Sequence, residues 1–144
     1  MPADCPSRPI DAYKAIIDEL VTETSRSISE RLIVEEGRFS KGEGMEPENA
    51  LVRTLSPEQR QVLANMLHME RTGAIHDVLA VLTWWTITRH LRFTFRGEWM
   101  PVELSGAGLH GDYIGRLDGW EWPEQDQDSA RSEPLPEGDV PSSS

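Results

Sequence analysis

The segment from Ala74 to Leu91 constrains the fold more than any other, because it has the length of a helix and is apolar on almost every side. Its large apolar residues are Ile75, Val78, Leu79, Val81, Leu82, Trp84, Trp85 and Ile87. A helix that is hydrophobic all round is expected in the interior of a domain. It is too short for a membrane span, and polar residues such as Asp77 interrupt it. The segment therefore predicts a central buried helix with Trp84 and Trp85 in the core.

Two further helices are predicted before this one. Apolar residues recur at helical spacing from Pro9 onwards, and Gly37 is a suitable carboxy-terminal stop. The sequence Ser-Pro-Glu-Gln at 56–59 has the pattern of a capping box, which begins the next helix. Gly73 predicts the end of that helix in a left-handed turn. Because the buried helix follows Gly73 at once, the two are predicted to form an antiparallel helical hairpin.

The apolar period changes from 3.6 to 2 after His90. Rings and arginines alternate over residues 91–96, and a second strand is expected over 99–104. Residues 112–117 are expected to form a third strand, followed by a tight turn at Asp118-Gly119 and a short closing strand over 120–122. So small a sheet needs helices against one face. The predicted fold class is α+β, with three main helices packed against an antiparallel meander of three to four strands.

Length and composition predict one domain over residues 9–123, after a mobile amino terminus of residues 1–8. Residues 124–144 hold six acidic residues and one arginine among prolines and serines, which predicts a disordered acidic tail. The formal net charge of −11 argues against binding to nucleic acid, which needs a basic surface.

Cys5 is the single cysteine, so an intrachain disulfide and a cysteine metal cluster are excluded. The amino-terminal sequence lacks a basic start followed by an apolar core, which is the pattern of a signal peptide. These observations predict a cytoplasmic protein without a membrane segment, and no motif predicts a cofactor.

Histidines and acids form two candidate sites for chemistry. At the predicted hairpin turn, His68, His76 and Asp77 offer two imidazoles and a carboxylate, which are ligands for zinc or iron and candidate general bases. The alternative is a capping and surface role for these residues. After the glycine-rich loop, His110 and Asp112 are candidates for proton transfer. No serine or cysteine nucleophile accompanies them, and loop geometry explains the neighbouring glycines equally well.

Three tryptophans and three arginines on and around the predicted sheet form a candidate binding surface. They are Trp99, Trp120, Trp122, Arg92, Arg96 and Arg116. Tryptophan and arginine are enriched at the centres of protein interfaces. The alternative is that the rings face the core and the guanidinium groups face solvent.

Three segments resemble a family of small uncharacterised bacterial proteins. They are residues 55–64 (LSPEQRQVLA), residues 73–80 (GAIHDVLA), and residues 112–114 (DYI) leading into 121–123 (EWP). The resemblance implies an α+β fold of helices and a small sheet. It carries over no catalytic residues, because that family has no assigned activity.

The first functional hypothesis is an acidic protein-interaction or regulatory module without catalysis, whose partner is another protein or a second copy of the chain. The alternative is a small metal-dependent hydrolase that uses the histidine and aspartate cluster at the hairpin turn.

Overall fold

The computed structural model describes residues 6–25 and 27–124, and within these ranges the fold is α+β with a helical majority. In chain order the elements are α1 (Pro9–Ser25), α2 (Ile28–Glu36), α3 (Glu46–Thr54), α4 (Pro57–Thr88), β1 (Thr94–Phe95), β2 (Glu98–Trp99) and α5 (Gly108–Leu117). The predicted mobile amino terminus and acidic tail lie mostly outside the described residues. None of the described helices is both long and apolar enough to cross a membrane.

Local capping signals set several helix boundaries. The Ser27 side chain accepts a hydrogen bond from the Glu30 amide at 3.3 Å and begins α2. Gly37, with φ of 65°, ends α2 as predicted. The capping box before α4 is confirmed. The backbone amide of Gln59 donates to Ser56 Oγ, and the backbone amide of Ser56 donates to the side-chain oxygen Oε1 of Gln59. The prediction of one helix from Pro9 to Gly37 is wrong, because α1 ends at Ser25.

The predicted helical hairpin is also wrong, because α4 runs through Gly73 as one helix of 32 residues. At 1.5 Å per residue this helix is about 48 Å long. A glycine inside a helix costs only about 1 kcal/mol relative to alanine. Contacts with α2 and with α5 on either side of Gly73 outweigh that cost and keep the helix continuous.

The helix α4 is not a central buried rod. Trp84 is 64% exposed and Trp85 is 51% exposed, so the prediction that both lie in the core is wrong. The helices α1 and α5 pack against one side of α4 alone, where Leu79 and Thr83 are buried. The main core cluster is formed by Ala12, Tyr13, Ile17, Leu79, Met100, Leu109 and Tyr113.

In the described part of the chain the sheet has two strands of two residues each. Thr94 pairs with Trp99 and Phe95 pairs with Glu98 in antiparallel register. The predicted strand over 112–117 belongs instead to α5, and residues 120–122 form no strand. Leu109, Tyr113 and Leu117 recur at the four-residue spacing of a helical face, and burying that face favours a helix over a strand. The meander of three to four strands is therefore not found there.

Candidate functional site

The predicted cluster at the hairpin turn does not form, because the turn is absent. His68 and His76 lie eight residues apart on α4, which separates them by about 12 Å along the helix axis. His68 Nδ1 lies 3.3 Å from a Glu30 carboxylate oxygen, and His76 Nδ1 lies 3.1 Å from Asp77 Oδ1. Within residues 6–25 and 27–124, no group of three or more His, Cys, Asp or Glu side chains is arranged to hold a metal ion. The structure therefore does not bring His68 to the pair formed by His76 and Asp77.

His110 lies on α5 and contacts the side chains of two residues on α4. Its ring lies edge-on to the His76 ring with centroids 5.1 Å apart, and its Nδ1 lies 3.1 Å from Thr83 Oγ1. The same threonine oxygen accepts a hydrogen bond from the Leu109 amide at 3.0 Å. A Cβ on Gly108 would lie 2.5 Å from the Thr83 methyl group, so a residue without a side chain is needed there. These contacts fix α5 against α4.

Asp112 lies on α5 beside His110 in sequence, but it is fully buried and bonded to other groups. Its carboxylate accepts hydrogen bonds from Tyr13 Oη at 2.5 Å and from the amides of Leu104 and Ser105 at 2.7 Å each. Burial, and then the hydrogen bond to Asp112, raise the pKa of Tyr13 well above its ordinary value. The phenol therefore stays protonated and donates, and Asp112 ties the loop before α5 to α1. This arrangement supports the fold and offers no surface for proton transfer to a substrate.

Trp120 and Trp122 form an internal cluster with charged side chains after α5. The Asp18 carboxylate accepts hydrogen bonds from Arg116 Nε at 2.7 Å and from Trp122 Nε1 at 3.0 Å. The Arg116 guanidinium lies 5.3 Å from the centre of the Trp122 ring, a cation–π contact. Trp122 also packs edge-on against Trp120 and Tyr13, with centroids 5.2 and 6.1 Å away. The predicted grouping of these tryptophans with Trp99 on one sheet is wrong, because residues 120–122 lie outside any strand.

Trp99, Arg92 and Arg96 lie at the hairpin instead. Trp99 is 62% exposed. The Arg96 guanidinium lies 5.1 Å from the centre of the Phe95 ring. An open cleft of about 450 Å³ separates the end of α4 from the hairpin, and it is lined by Thr86, Ile87, His90, Leu91, Arg92, Phe93, Trp99, Met100, Val102 and Glu103. The structure thus places three of the six predicted binding residues at the hairpin and three in the internal cluster.

A feature that sequence reasoning missed is the open apolar side of α4. We call Ala74, Val78, Val81, Trp84 and Trp85 the outer face. All five residues are exposed, and the exposed fractions of the four larger side chains run from 51% to 64%. Soluble monomers rarely expose a contiguous apolar patch of more than a few hundred Å² without a binding role. The outer face is therefore the strongest candidate site among the described residues. The sequence signal for this face is the low amphipathicity of residues 74–88, which predicts burial but fits an uncovered apolar face equally well.

The electrostatics of the outer face set it apart from the rest of an acidic chain. Between residues 74 and 88 the sequence has one formally charged side chain, that of Asp77. The chain as a whole has a net charge of −11. Charged residues are depleted at the centres of protein interfaces, and this segment of α4 has that composition.

The model of a family of unknown function, DUF6547, matches residues 6–124. The match covers well over half of the chain, including every helix and strand described above. Comparison with curated proteins and with solved structures gave no match. The predicted resemblance to an uncharacterised family is confirmed: the chain belongs to DUF6547, a family of unknown function.

Proposed function

We propose that the chain is a protein-interaction module without catalysis and that the outer face of α4 is its binding surface. One observation carries the proposal: two neighbouring tryptophans and two valines of a single helix are more than half exposed. Tryptophan is over-represented among the residues that dominate binding free energy. The proposal includes a cytoplasmic location, and the single cysteine of the chain fits that reducing compartment.

The open area is large enough to contribute usefully to binding. From the exposed fractions, the outer face leaves on the order of 500 Å² of apolar surface in water, since a tryptophan alone contributes about 150–250 Å² when fully exposed. At about 25 cal/mol per Å², covering it supplies on the order of 10 kcal/mol. That amount is comparable with the translational and rotational entropy lost on association.

The outer face is also held in a fixed arrangement before any partner binds. The opposite side of α4 is joined to α5 through Thr83, which bonds to the Leu109 amide and contacts His110. Surfaces on rigid helices lose less conformational entropy on binding than surfaces on loops. The scaffold therefore favours a binding role for the outer face.

A photo-crosslinking experiment tests this proposal. A benzophenone amino acid replaces Val81 on the outer face or, as a matched control, Glu48, which is exposed on α3. The proposal expects one discrete covalent adduct from position 81 in cells that produce the protein, and none of that mass from position 48. No adduct at position 81, or the same adducts from both positions, would contradict a binding role for this face.

A further inference from the structure

We infer that the partner of the outer face is a second copy of this chain, with the two α4 helices packed antiparallel about a two-fold axis. This inference rests on the proposed function, because it names the occupant of the same surface. Three observations support it: the spacing of the apolar residues, their size order, and an apolar groove beside them.

The spacing is that of a seam between two helices. Ala74, Val78, Val81 and Trp85 follow one another at intervals of four, three and four residues. At 3.6 residues per turn they lie within a sector of about 60° on α4. Apolar residues repeated in this way allow side chains of one helix to fit between those of another.

The stripe has a small residue at one end and a large one at the other, so two antiparallel copies of it fit each other. A symmetric dimer requires that each residue meet a counterpart that it fits. With the two-fold axis between Val78 and Val81, those two valines face each other across the interface. The same operation places the smallest residue, Ala74, opposite the largest, Trp85. A parallel pairing would instead bring two Trp85 indoles together.

A groove on the protein surface lies where that indole arrives. Its volume is about 300 Å³, and it is lined only by the apolar side chains Leu20, Ala74, Ile75, Val78 and Leu79. Ala74, at one end of the groove, and Trp85 lie on the same helix about 16 Å apart along its axis. One antiparallel pairing therefore fills both grooves of the dimer at once. Trp85 of each copy thus enters the groove beside Ala74 of the other.

The size and charge of the surface set the strength of this dimer. Covering the whole outer face of both copies, with Trp84 at the edge of the interface, buries on the order of 1,000 Å², which is the lower limit for a specific interface. Asp77, at the margin of the stripe, is 83% exposed at its side chain and bonded to His76, so the centre of the seam is uncharged. The expected complex is a dimer that dissociates on dilution.

Sedimentation of the full chain between about 1 µM and about 500 µM tests the inference, because a dimer with a Kd inside that range changes its mean mass with concentration. The mass should rise from 16.3 kDa towards twice that value. Val78→Glu and Trp85→Ser should each weaken association at least about tenfold, because one buries a charge and the other removes the indole. Val62→Glu is the matched control, because Val62 is 58% exposed on α4 outside the stripe.

Cross-linking in a Cys5→Ser background tests the direction of pairing. In the antiparallel arrangement Ala74 of one copy lies close to Thr88 of the other, whereas the two Ala74 residues are about 16 Å apart along the axis. A short bis-maleimide should therefore link a mixture of Ala74→Cys and Thr88→Cys chains, but should not link Ala74→Cys chains to one another. Circular dichroism checks that each variant is folded.

The outcomes separate this inference from the proposed function. A wild-type chain that stays at 16.3 kDa over the whole range overturns the dimer. In that case a discrete adduct with a different protein at position 81 leaves the binding role standing. A dimer that resists Val78→Glu, or that is lost with Val62→Glu, overturns the assigned interface. Efficient linkage between Ala74→Cys chains alone overturns the antiparallel arrangement.

Discussion

The chain has two pairs of closely spaced tryptophans, and the structure treats them in opposite ways. Trp84 and Trp85 are adjacent on α4 and more than half exposed. Trp120 and Trp122 follow α5 and are partly buried in contact with each other and with charged side chains. The sequence predicted the first pair in the core and made the second pair a candidate for a binding surface, with rings facing the core as the alternative.

The difference teaches that the burial of an aromatic residue depends on what the rest of the fold can bring to it. Trp122 meets Tyr13 on one side, Arg116 on another, and the Asp18 carboxylate at its indole nitrogen. No element among the described residues lies over the outer face of α4, because α1 and α5 pack together on its other side. A helix that is apolar all round can therefore keep one apolar face exposed to solvent in a small domain.

The largest expected effect comes from the network of Asp112 and Tyr13, whose ring contacts Trp122. Asp112→Ala leaves the Tyr13 hydroxyl and two backbone amides without their acceptor in the interior. We expect a loss of about 3–5 kcal/mol in the free energy of unfolding, measured by urea denaturation. The control Asp77→Ala removes an exposed carboxylate and should cost less than about 0.5 kcal/mol. A loss below about 1 kcal/mol for Asp112→Ala would contradict the structural role of this network.

A direct comparison of the two pairs comes next in size. Trp122→Ala removes contacts with two rings and a guanidinium, and we expect a loss of about 2–4 kcal/mol in urea melts. Trp84→Ala, measured in the same way at a concentration where the chain is monomeric, should cost less than about 1 kcal/mol. Equal losses for the two variants would remove the distinction between the pairs.

Tyr13→Phe sharpens the comparison at alkaline pH. Below the ordinary tyrosine pKa of about 10 both the folded and the unfolded chain hold this proton. Above it the unfolded chain loses the proton first, because the folded-state pKa is raised, so stability falls as pH increases. One such group lowers stability by up to about 1.4 kcal/mol per pH unit.

Tyr13→Phe should cost about 1–3 kcal/mol at pH 7, where the hydroxyl hydrogen bonds are lost. It should also reduce the slope above pH 10, and an unchanged slope would contradict the assignment.

The smallest effect concerns the continuity of α4, on which the outer face depends. A Cβ at Gly73 meets no atom within 4 Å, and the residue lies inside α4 without a positive φ. Gly73→Ala should therefore stabilise the chain by about 0.5–1 kcal/mol in thermal or urea melts. If Gly73 occupied a left-handed turn between two helices, the same substitution would be destabilising.

The sequence predicted those features that depend on a few neighbouring residues. The capping box at Ser56, the helix end at Gly37 and the α+β class could all be derived from local patterns. The hairpin at Gly73 could not be excluded, because a glycine suits both a helix end and a tolerated interior position. The prediction of a strand over 112–117 was wrong because a short apolar segment can fit the spacing of a helix as well as that of a strand. In the helix, Asp112 accepts hydrogen bonds from Tyr13 and from the preceding loop, and the sequence does not show these contacts.

The sequence indicated that tryptophans would form the candidate site, but not which of the tryptophans. Tryptophans were expected at a binding surface, yet the exposed ones outside the hairpin are those of α4 rather than Trp120 and Trp122. Which apolar residues stay uncovered depends on how α1 and α5 pack against α4. That packing rests on contacts between residues far apart in the chain, such as Thr83 with Leu109, and no local pattern reveals them.

Hydroxyl-radical footprinting of the individual tryptophans tests the central claim most directly. The full chain is oxidised briefly at high dilution, where it is monomeric, and the rate at each tryptophan is read by mass spectrometry. The account predicts that Trp84 and Trp85 are each modified faster than Trp120 and Trp122, because their exposed fractions are larger. Protection of Trp84 and Trp85 under these conditions, with rapid oxidation of the other pair, would contradict it.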